Sequence, residues 1–364
     1  MKKILIVFIS LCLLLSMGVS GCNARSGPGS NPGATNTIPD SKGEVYVYNW
    51  GGPYMDTSIF KDFERETGIK VNYSEYQNNE EMYSIIKSGA AIYDVIIPSD
   101  YMVSRMINEG MLEELDFSNI PNYSLIDNSY KNLEYDPEGK YSVAYMTGTV
   151  GIIYNSTMID DDITSWSALF DSKYAGQILM FDNPRDAFGI ALKHLGYSMN
   201  TSAESEIREA FDLLVSQKNI LQAYVMDQIF DKLEAGEAAI GPYYAGDYLL
   251  MVENNPDLVF VRPVEGSNWF VDAMCIPLGA KNKENAEIFI NFICSTNAAL
   301  ANMEEVYYAS ANYEANEIFL EQLDPEDHEI MFASEETRAN CDVFTNLPEN
   351  ILILYNKLWG DLKK

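Results

Sequence analysis

The chain has 364 residues, of which 47% are hydrophobic and 12% aromatic, so it has enough apolar material for a folded core and is not a disordered chain. Its length predicts about two domains. The 54 acidic side chains outnumber the 24 basic ones and give a net charge of −30. This balance excludes nucleic acid as a partner, because nucleic-acid binding needs a basic face, and it favours cations.

The N-terminus has the features of a secretory signal. Lys2 and Lys3 precede an apolar run over residues 4–15, which is too short to predict a membrane span. The small residues that follow end in Val19-Ser20-Gly21-Cys22, which resembles a bacterial lipoprotein cleavage box. The resemblance implies that 1–21 is a signal peptide and that Cys22 carries the lipid; a simple signal peptide cut nearby is the alternative.

Residues 23–42 are rich in Gly, Ser, Pro, Asn and Thr and show no apolar periodicity. This composition predicts a flexible tether, so that 22–42 comprises the lipidated Cys22 and a linker to the folded body. We therefore expect a secreted protein, lipid-anchored to the outer face of the cell membrane or in the periplasm.

Cysteine and histidine usage gives no sign of a metal centre. Cys275, Cys294 and Cys341 lie in the body without metal-type spacing, and His194 and His328 are far apart. The apolar surroundings of Cys275 and Cys294 predict buried thiols. A disulfide involving Cys341 stays open, and we predict no metal site and no cofactor.

From residue 44 onwards the hydrophobic pattern alternates between strand and helix. Helices are predicted from about Asp56 to Gly68, from a cap at Asn78 to Gly89, and up to Gly110. Further helices are expected at 187–195, at 227–235 and through most of the last part of the chain. Strands are predicted at 45–48, 69–76, 94–97, 151–154, 178–181, 220–225, 239–240, 259–261 and 269–276. This alternation indicates an α/β fold with a parallel sheet, in two lobes.

The segments that follow the predicted strands are aromatic and acidic, with hardly a cation. They are residues 49–54, 98–101, 182–186 and 242–247. Ligands of open α/β sheets bind at the carboxyl ends of strands. Aromatic faces and carboxylates both bind ammonium groups, so this composition favours an elongated apolar chain with cationic ends over a sugar.

Packing and capping offer alternative explanations for some of these residues. Trp50, Tyr244 and Trp269 are equally consistent with a hydrophobic core. Asn183 and Asp186 fit the N-cap and the third position of a helix that begins at Pro184. Asp272 lies inside an apolar strand, where a carboxylate without a partner is costly, so it is the clearest candidate for a binding group.

An ordered set of motifs resembles one known family, the spermidine/putrescine-binding receptors of ABC importers. The motifs include Tyr48-Asn49-Trp50, Tyr93-Asp94-Val95-Ile96-Ile97-Pro98-Ser99, Glu265-Gly266-Ser267-Asn268-Trp269-Phe270-Val271-Asp272 and Tyr308-Ala309-Ser310-Ala311-Asn312. The resemblance extends from about Glu44 to the C-terminus. It implies a two-lobed periplasmic-binding-protein (flytrap) fold, in which each lobe is a mostly parallel sheet with flanking helices and the chain crosses the hinge more than once. Lobe 1 would comprise 43–149 plus 272–316, and lobe 2 would comprise 150–271 plus 317–364.

The resemblance also implies a ligand site between the lobes. The family's pocket positions fall on Trp50, Tyr54, Ser99, Tyr101, Asn183, Asp186, Tyr244, Asp247, Phe270, Asp272 and Tyr308. By this resemblance Asp272 would bind one amine of a polyamine and Asp186 the opposite end. Aromatic residues would line the methylene chain, namely Trp50, Tyr244 and Phe270.

The sequence departs from the family pattern in three places. Gly51-Gly52-Pro53 precedes Tyr54 where the family usually has a Ser/Thr-Asp/Glu-Tyr run, so one carboxylate is missing and one residue is extra. Asn183 stands where some spermidine receptors have Asp. No clear match exists around 342–344 to the polar residue expected late in the chain.

The sequence therefore predicts a polyamine receptor that delivers its cargo to an ABC permease. Since the chain has no phosphate-binding loop of its own, ATP hydrolysis is expected to belong to a partner, the cytoplasmic ATPase of that permease. By the same resemblance, Tyr101 leans toward the spermidine type and Asp247 toward the putrescine type, so the choice of polyamine stays open. We expect a monomer that binds the membrane through its lipid, closes around its ligand and has no catalytic activity.

Two rival functions are weighed against this reading. A secreted hydrolase could use a carboxylate pair, either Asp182 with Asp186 or Asp247 with Asp272, but the chain has no nucleophile motif such as GxSxG. A receptor for another solute is the second rival, either a sugar or ferric iron. The tyrosine pairs at 243–244 and 307–308 could supply phenolates to iron, yet no histidine lies near them in sequence.

Overall fold

The computed structural model describes residues 43–52 and 54–364. The predicted signal peptide at 1–21, the lipidation site at Cys22 and the linker up to residue 42 lie outside the described residues, as does Pro53. Among the helices of the described ranges, none combines the length and the apolar character that a membrane crossing requires.

The strands of the described residues join in one eleven-stranded sheet. Its main path runs β2-β1-β3-β9-β4-β7-β5-β6, and β8 and β10 pair with β4 while β11 pairs with β9. The strands are β1 Glu44–Trp50, β2 Lys70–Tyr76, β3 Val95–Ile96, β4 Ser142–Asn155, β5 Ile178–Phe181, β6 Leu221–Val225, β7 Ile240–Tyr244, β8 Leu258–Val261, β9 Ser267–Cys275, β10 Ala309–Ser310 and β11 Cys341–Asp342.

Helices connect the strands and form most of the C-terminal part. The α-helices of the described residues are α1 Phe60–Thr67, α2 Asn79–Ser88, α3 Asp100–Asn108, α4 Pro184–His194, α5 Glu204–Gln217, α6 Gln228–Glu234, α7 Ala245–Asn254, α8 Lys283–Ile293, α9 Thr296–Val306, α10 Tyr313–Leu320, α11 His328–Met331, α12 Glu335–Ala339 and α13 Glu349–Leu362. Short 3₁₀ helices lie at Thr57–Ile59, Phe117–Asn119, Pro121–Leu125, Asn128–Tyr130, Trp166–Phe170 and Ser172–Tyr174.

Local sequence signals explain where the first helices begin and end. The Asn78 side chain accepts a hydrogen bond from the Glu81 backbone N–H at 2.9 Å, which is the predicted cap of α2. Helix α2 ends at Gly89 and α1 at Gly68, with φ of +65° and +73°. Glycine adopts this left-handed conformation without steric cost, so both predicted helix ends are confirmed.

The sheet is mixed, because two long strands join its two halves. As predicted, β1 runs parallel to β2 and β3, and β5 runs parallel to β6 and β7. Strand β4, by contrast, is antiparallel to β9 up to Thr149 and antiparallel to β7 from Val150 onwards. Strands β4 and β9 therefore pass from one half of the sheet to the other. Each antiparallel strand pair of the described sheet includes at least one of these two strands.

Two strands are longer than the sequence pattern predicted. Strand β4 begins at Ser142, well before the predicted start at Gly151, because its polar and glycine residues are buried by pairing with β9 rather than by their own hydrophobicity. Strand β7 continues beyond Ile240 through Gly241 and Pro242 to Tyr244. Proline is tolerated there because β5 pairs with β7 only at Ile240, so Pro242 lies beyond that contact.

The cysteines agree with the prediction of buried thiols. Cys275 and Cys294 are buried and Cys341 is half-buried, and none of these three described cysteines forms a disulfide. Among the described residues, no group of three or more His, Cys, Asp or Glu side chains is placed to hold a metal ion.

Candidate functional site

The carboxyl ends of strands from both halves of the sheet border one cavity of about 340 Å³. Strand β1 ends there at Trp50, β7 ends at Tyr244, and β9 crosses it with Phe270 and Asp272 on the same face. The structure brings all eleven predicted site residues together along this cavity: Trp50, Tyr54, Ser99, Tyr101, Asn183, Asp186, Tyr244, Asp247, Phe270, Asp272 and Tyr308.

A recurring pair of side chains, a tyrosine hydroxyl on a carboxylate, characterises this cavity and its wall. Each tyrosine donates one hydrogen bond to one oxygen of its acidic partner. The pairs are Tyr54 with Asp272, Tyr244 with Asp186 at 3.2 Å, Tyr308 with Asp247 at 2.7 Å, Tyr243 with Asp227 at 3.1 Å and Tyr101 with Glu80 at 3.0 Å. A single neutral donor satisfies a carboxylate only in part, so these groups retain the capacity to accept from a cation.

Asp272 is the most enclosed member of this set with an unused oxygen. It is 3% exposed, and none of the described residues hydrogen-bonds to its Oδ1 atom. Burial raises the pKa of Asp272 to about 6, although hydrogen bonding with the side chains of Tyr54 and Ser99 acts in the opposite direction. Asp272 therefore lies inside a strand, as predicted, in a position where a carboxylate without a partner is costly. Its side chain faces the cavity rather than the hydrophobic core.

Asp186 and Asp247 are held at the starts of helices α4 and α7. Burial raises the pKa of each to about 7, and the hydroxyls of Tyr244 and Tyr308 oppose this shift. Both lie in the first turn of their helix, where the macrodipole favours a negative charge. These carboxyls are poised between the neutral and the charged form near neutral pH.

No basic side chain of the described residues forms an ion pair with the carboxyls of the cavity. The guanidinium of Arg185 lies behind the wall, 4.5 Å from the Phe344 ring centroid and 5.4 Å from that of Tyr101. Its charge lowers the pKa of Asp186 without a direct contact. The protein therefore leaves room for a cation inside the cavity itself.

Aromatic rings surround the carboxylates. The rings of Tyr54 and Tyr308 are edge to face with centroids 5.6 Å apart, as are those of Tyr244 and Phe270 at 5.6 Å. The indole N–H of Trp50 donates to the backbone carbonyl of Ile97 at 3.0 Å, which fixes the ring at the end of β1. Trp50 and Tyr244 therefore pack against the core and border the cavity at the same time. Trp269 points the other way along β9 and does not line this cavity.

The remaining predicted residues are positioned by local hydrogen bonds. Asn183 caps α4, since its side chain accepts from the Arg185 N–H at 3.0 Å, and it also lines the cavity. Asn79 donates both to the Ser99 hydroxyl and to the Tyr101 hydroxyl, each at 3.1 Å.

Several residues that line the cavity were not among the eleven predicted site residues, namely Gly51, Gly52, Tyr76, Gln77, Asn79, Asp100, Met226, Asp227, Phe230, Tyr243, Asn268 and Phe344. Gly51, Gly52, Asp100 and Tyr243 lie in the predicted strand-end segments, whereas the other eight do not. Asp227 comes two residues after the end of β6, so the same rule of strand ends could have found it. Phe344 lies where a polar residue was expected, and it closes the wall against Arg185 instead. Tyr76 is a buried residue of β2, and its sequence context does not distinguish a cavity residue from a core residue.

The geometry bears on two of the rival hypotheses, the Asp182–Asp186 pair of a hydrolase and a phenolate site for ferric iron. Asp182 does not line the cavity and pairs with Lys363 at 2.9 Å, so it is not a partner for Asp186. Burial holds the pKa of Tyr243, Tyr244 and Tyr308 well above 10, and each hydroxyl donates to a carboxylate. Among the described residues, no group of three or more His, Cys, Asp or Glu side chains accompanies these phenols in an arrangement that could hold a metal ion.

Comparison with known proteins identifies the family to which the chain belongs. The family model for bacterial extracellular solute-binding proteins matches residues 58–333. A relative from Escherichia coli K12, the spermidine/putrescine-binding periplasmic protein, is 34% identical over 307 residues, which is 83% of this chain and 86% of the relative. This family is one of solute-binding proteins and not of enzymes.

Solved structures agree with the fold. A structure from Listeria monocytogenes is 37% identical and superposes with a TM-score of 0.82 over 88% of this chain and 98% of its own. The spermidine/putrescine ABC transporter substrate-binding protein PotD from Streptococcus pneumoniae is 34% identical, with a TM-score of 0.74 over 88% and 99%. The chain therefore belongs to the bacterial extracellular solute-binding proteins, in the family of the spermidine/putrescine-binding proteins, and has their two-lobed α/β fold.

Proposed function

We propose that this protein captures a polyamine in the cavity and delivers it to an ABC transporter. The observation that carries the proposal is the set of buried carboxylates, each with one tyrosine donor and none with a basic partner among the described residues. An ammonium group would supply the missing charge, and each such hydrogen bond contributes roughly 1.5–3 kcal/mol. The relatives named for spermidine and putrescine support the same ligand class.

All eleven predicted site residues form the proposed binding set. Asp272 binds one ammonium through its unused Oδ1 atom, and Asp186 binds another from the opposite half of the sheet. The rings of Trp50, Tyr244 and Phe270 enclose the methylene segments between them. Apolar chain and cationic ends thus find separate partners.

Ligand capture is proposed to close two lobes, 43–149 plus 272–316 and 150–271 plus 317–364. The exchange of partners along β4, from β9 at Thr149 to β7 at Val150, supports a hinge at this boundary. Moving a two-state equilibrium from roughly 1:99 to 99:1 requires about 5.5 kcal/mol of differential affinity. Two or three ammonium contacts made only in the closed state would provide this.

The proposed protein is a monomer without catalytic activity, attached to the membrane by lipid on Cys22 and by the linker up to residue 42. The sequence around Cys22 supports the anchor. Several acyl chains hold a protein at a membrane far more firmly than one. The folded body would then meet its permease at the membrane surface, where a partner ATPase drives transport.

Calorimetry tests this function. The full-length protein in non-ionic detergent is titrated with putrescine, spermidine and spermine at low and moderate salt. Saturable one-to-one binding of at least one amine that survives moderate salt is the expected result. Weak heats that salt abolishes for all three amines would show only attraction to the acidic surface and would contradict the proposal.

A further inference from the structure

Asp227 lies at the rim of the cavity, between β6 and α6. Its Oδ1 atom accepts a hydrogen bond from Tyr243 at 3.1 Å, and unlike Asp186, Asp247 and Asp272 it is exposed to solvent. No described basic residue forms an ion pair with it. The negative charge of Asp227 contributes to the raised pKa of Asp247, so the two carboxylates repel each other.

The residue opposite Asp227 has no side chain. A Cβ atom placed on Gly52 would lie 3.8 Å from the Oδ2 atom of Asp227, although Gly52 belongs to the other half of the sheet. With a φ of +76°, Gly52 occupies a conformation that other residues rarely adopt. The turn after β1 therefore lies close to the Asp227 carboxylate and places no side chain over it.

The surroundings of Asp227 fit the end of an alkylammonium chain. Met226 and Phe230 line the cavity beside it and provide an apolar path inwards. At the enclosed end, Asp272 is 97% removed from solvent yet keeps its Oδ1 atom without a partner among the described residues. The cavity thus has a buried carboxylate with one unpaired oxygen deep inside and a second, solvent-exposed carboxylate at its rim.

We propose that Asp227 binds the terminal ammonium of a bound polyamine at the rim, and that this contact makes the site prefer a triamine to a diamine. This inference rests on the proposed function. A diamine spans the enclosed carboxylates Asp272 and Asp186, whereas the additional aminoalkyl arm of a triamine reaches Asp227. The Gly51–Gly52 turn lacks the carboxylate that the family pattern has after the first strand. In this proposal Asp227, from the opposite lobe, takes the place of that carboxylate.

The test compares Asp227→Asn with Asp231→Asn by calorimetry on the full-length protein. Asn keeps an acceptor for Tyr243, so the fold is preserved. Asp231 is exposed on the same helix and has the same charge, so its substitution reproduces the change in net charge. We expect Asp227→Asn to weaken spermidine binding about tenfold and putrescine binding less than about twofold, as for loss of one charge-assisted hydrogen bond. Asp231→Asn should change neither, and Asp227→Glu should retain the preference.

Two outcomes would overturn the inference while the proposed function stands. One is spermidine affinity in Asp227→Asn within twofold of that in Asp231→Asn. The other is an equal loss for both amines, which would indicate a general effect on the cleft. If the unsubstituted protein binds no polyamine, the proposed function fails and this inference fails with it. Ligand-free melting temperatures of the variants should agree with the unsubstituted protein.

Discussion

At the scale of single residues, aromatic rings surround a buried cation of the protein behind the cavity wall. Arg185 is 3% exposed, and none of the described residues hydrogen-bonds to its Nε and Nη1 atoms. The rings of Phe344, Tyr101 and Tyr355 surround its guanidinium with centroids 4.5–5.7 Å away. Aromatic faces stabilise this buried cation, and a comparable set of rings faces the empty space beside Asp272. The wall separates the protein's own cation from the place where we propose a ligand's cation binds.

Replacement of Asp272 tests the deepest carboxylate. Asp272→Asn preserves shape but removes the charge, so polyamine binding should weaken by about 2–5 kcal/mol, as expected when a buried ammonium loses its partner. Calorimetry measures the affinity, and circular dichroism should stay unchanged. Asp160→Asn, an exposed site with the same change in charge, is the matched control. Affinity equal to that of the control would remove Asp272 from the site.

At the scale of elements, helix α7 presses its first turn against the cavity. A Cβ atom on Gly246 would lie 2.6 Å from the ring of Tyr308, the tyrosine that donates to Asp247 on the same turn. Only glycine permits this approach, because no real side-chain atom fits at that distance. The position of α7 thus sets the Tyr308–Asp247 hydrogen bond.

Gly246→Ala should displace the Tyr308 ring, destabilise the protein by about 1–3 kcal/mol and weaken polyamine binding. Gly360→Ala is the control, since Gly360 is an exposed helical residue with no atom within 4 Å of a Cβ position. There alanine should stabilise the protein by roughly 0.5–1 kcal/mol. Denaturant unfolding measures both changes. An unfolding free energy that rises equally in both variants would show that α7 does not press on Tyr308.

At the scale of the whole molecule, the carboxyls of the cavity add to the electrostatic repulsion within a chain of net charge −30. Carboxyls that are removed from water resist ionisation, because desolvation disfavours their charged form. The folded, ligand-free protein therefore binds protons on Asp186, Asp247 and Asp272 at pH values where ordinary carboxyls have lost them. Polyamine binding is expected to release these protons.

This proton uptake predicts the pH dependence of stability. The pKa values rise from 3.8 to about 7 for Asp186 and Asp247 and to about 6 for Asp272, so the folded state holds more protons than the unfolded state in this window. The ligand-free melting temperature should therefore fall as the pH rises from about 5 to about 8. His194, whose pKa burial lowers, opposes this trend as a single group. Stabilisation by spermidine should increase over the same interval, because the bound carboxylates are charged.

Scanning calorimetry at several pH values, with and without spermidine, measures both trends. The double variant Asp186→Asn/Asp247→Asn should have a flatter ligand-free profile, which separates these groups from the general charge of the surface. A ligand-free melting temperature that rises steadily with pH in the unsubstituted protein would contradict the prediction.

Much of the fold could be predicted because its signals are local. Strand β5 matches its predicted range, and Asn78, Gly68 and Gly89 bound helices as their side chains or their conformational freedom require. The first half of β4 could not be predicted, because residues such as Gly148 are buried only through their pairing with β9. Strand prediction from hydrophobicity fails where a distant partner provides the burial.

The residues at strand ends already determined the chemistry of the site, since aromatic and acidic side chains without a basic partner favour a cationic ligand whatever their arrangement. Only the tertiary structure decided which carboxylate pairs with which tyrosine and which one keeps a free oxygen, as at Asp272. It also placed Asp227 opposite Gly52, two residues far apart in sequence. The reason is physical: composition fixes the charge and polarity available to a cavity, whereas distances across a cleft arise only when two halves of the chain are packed together.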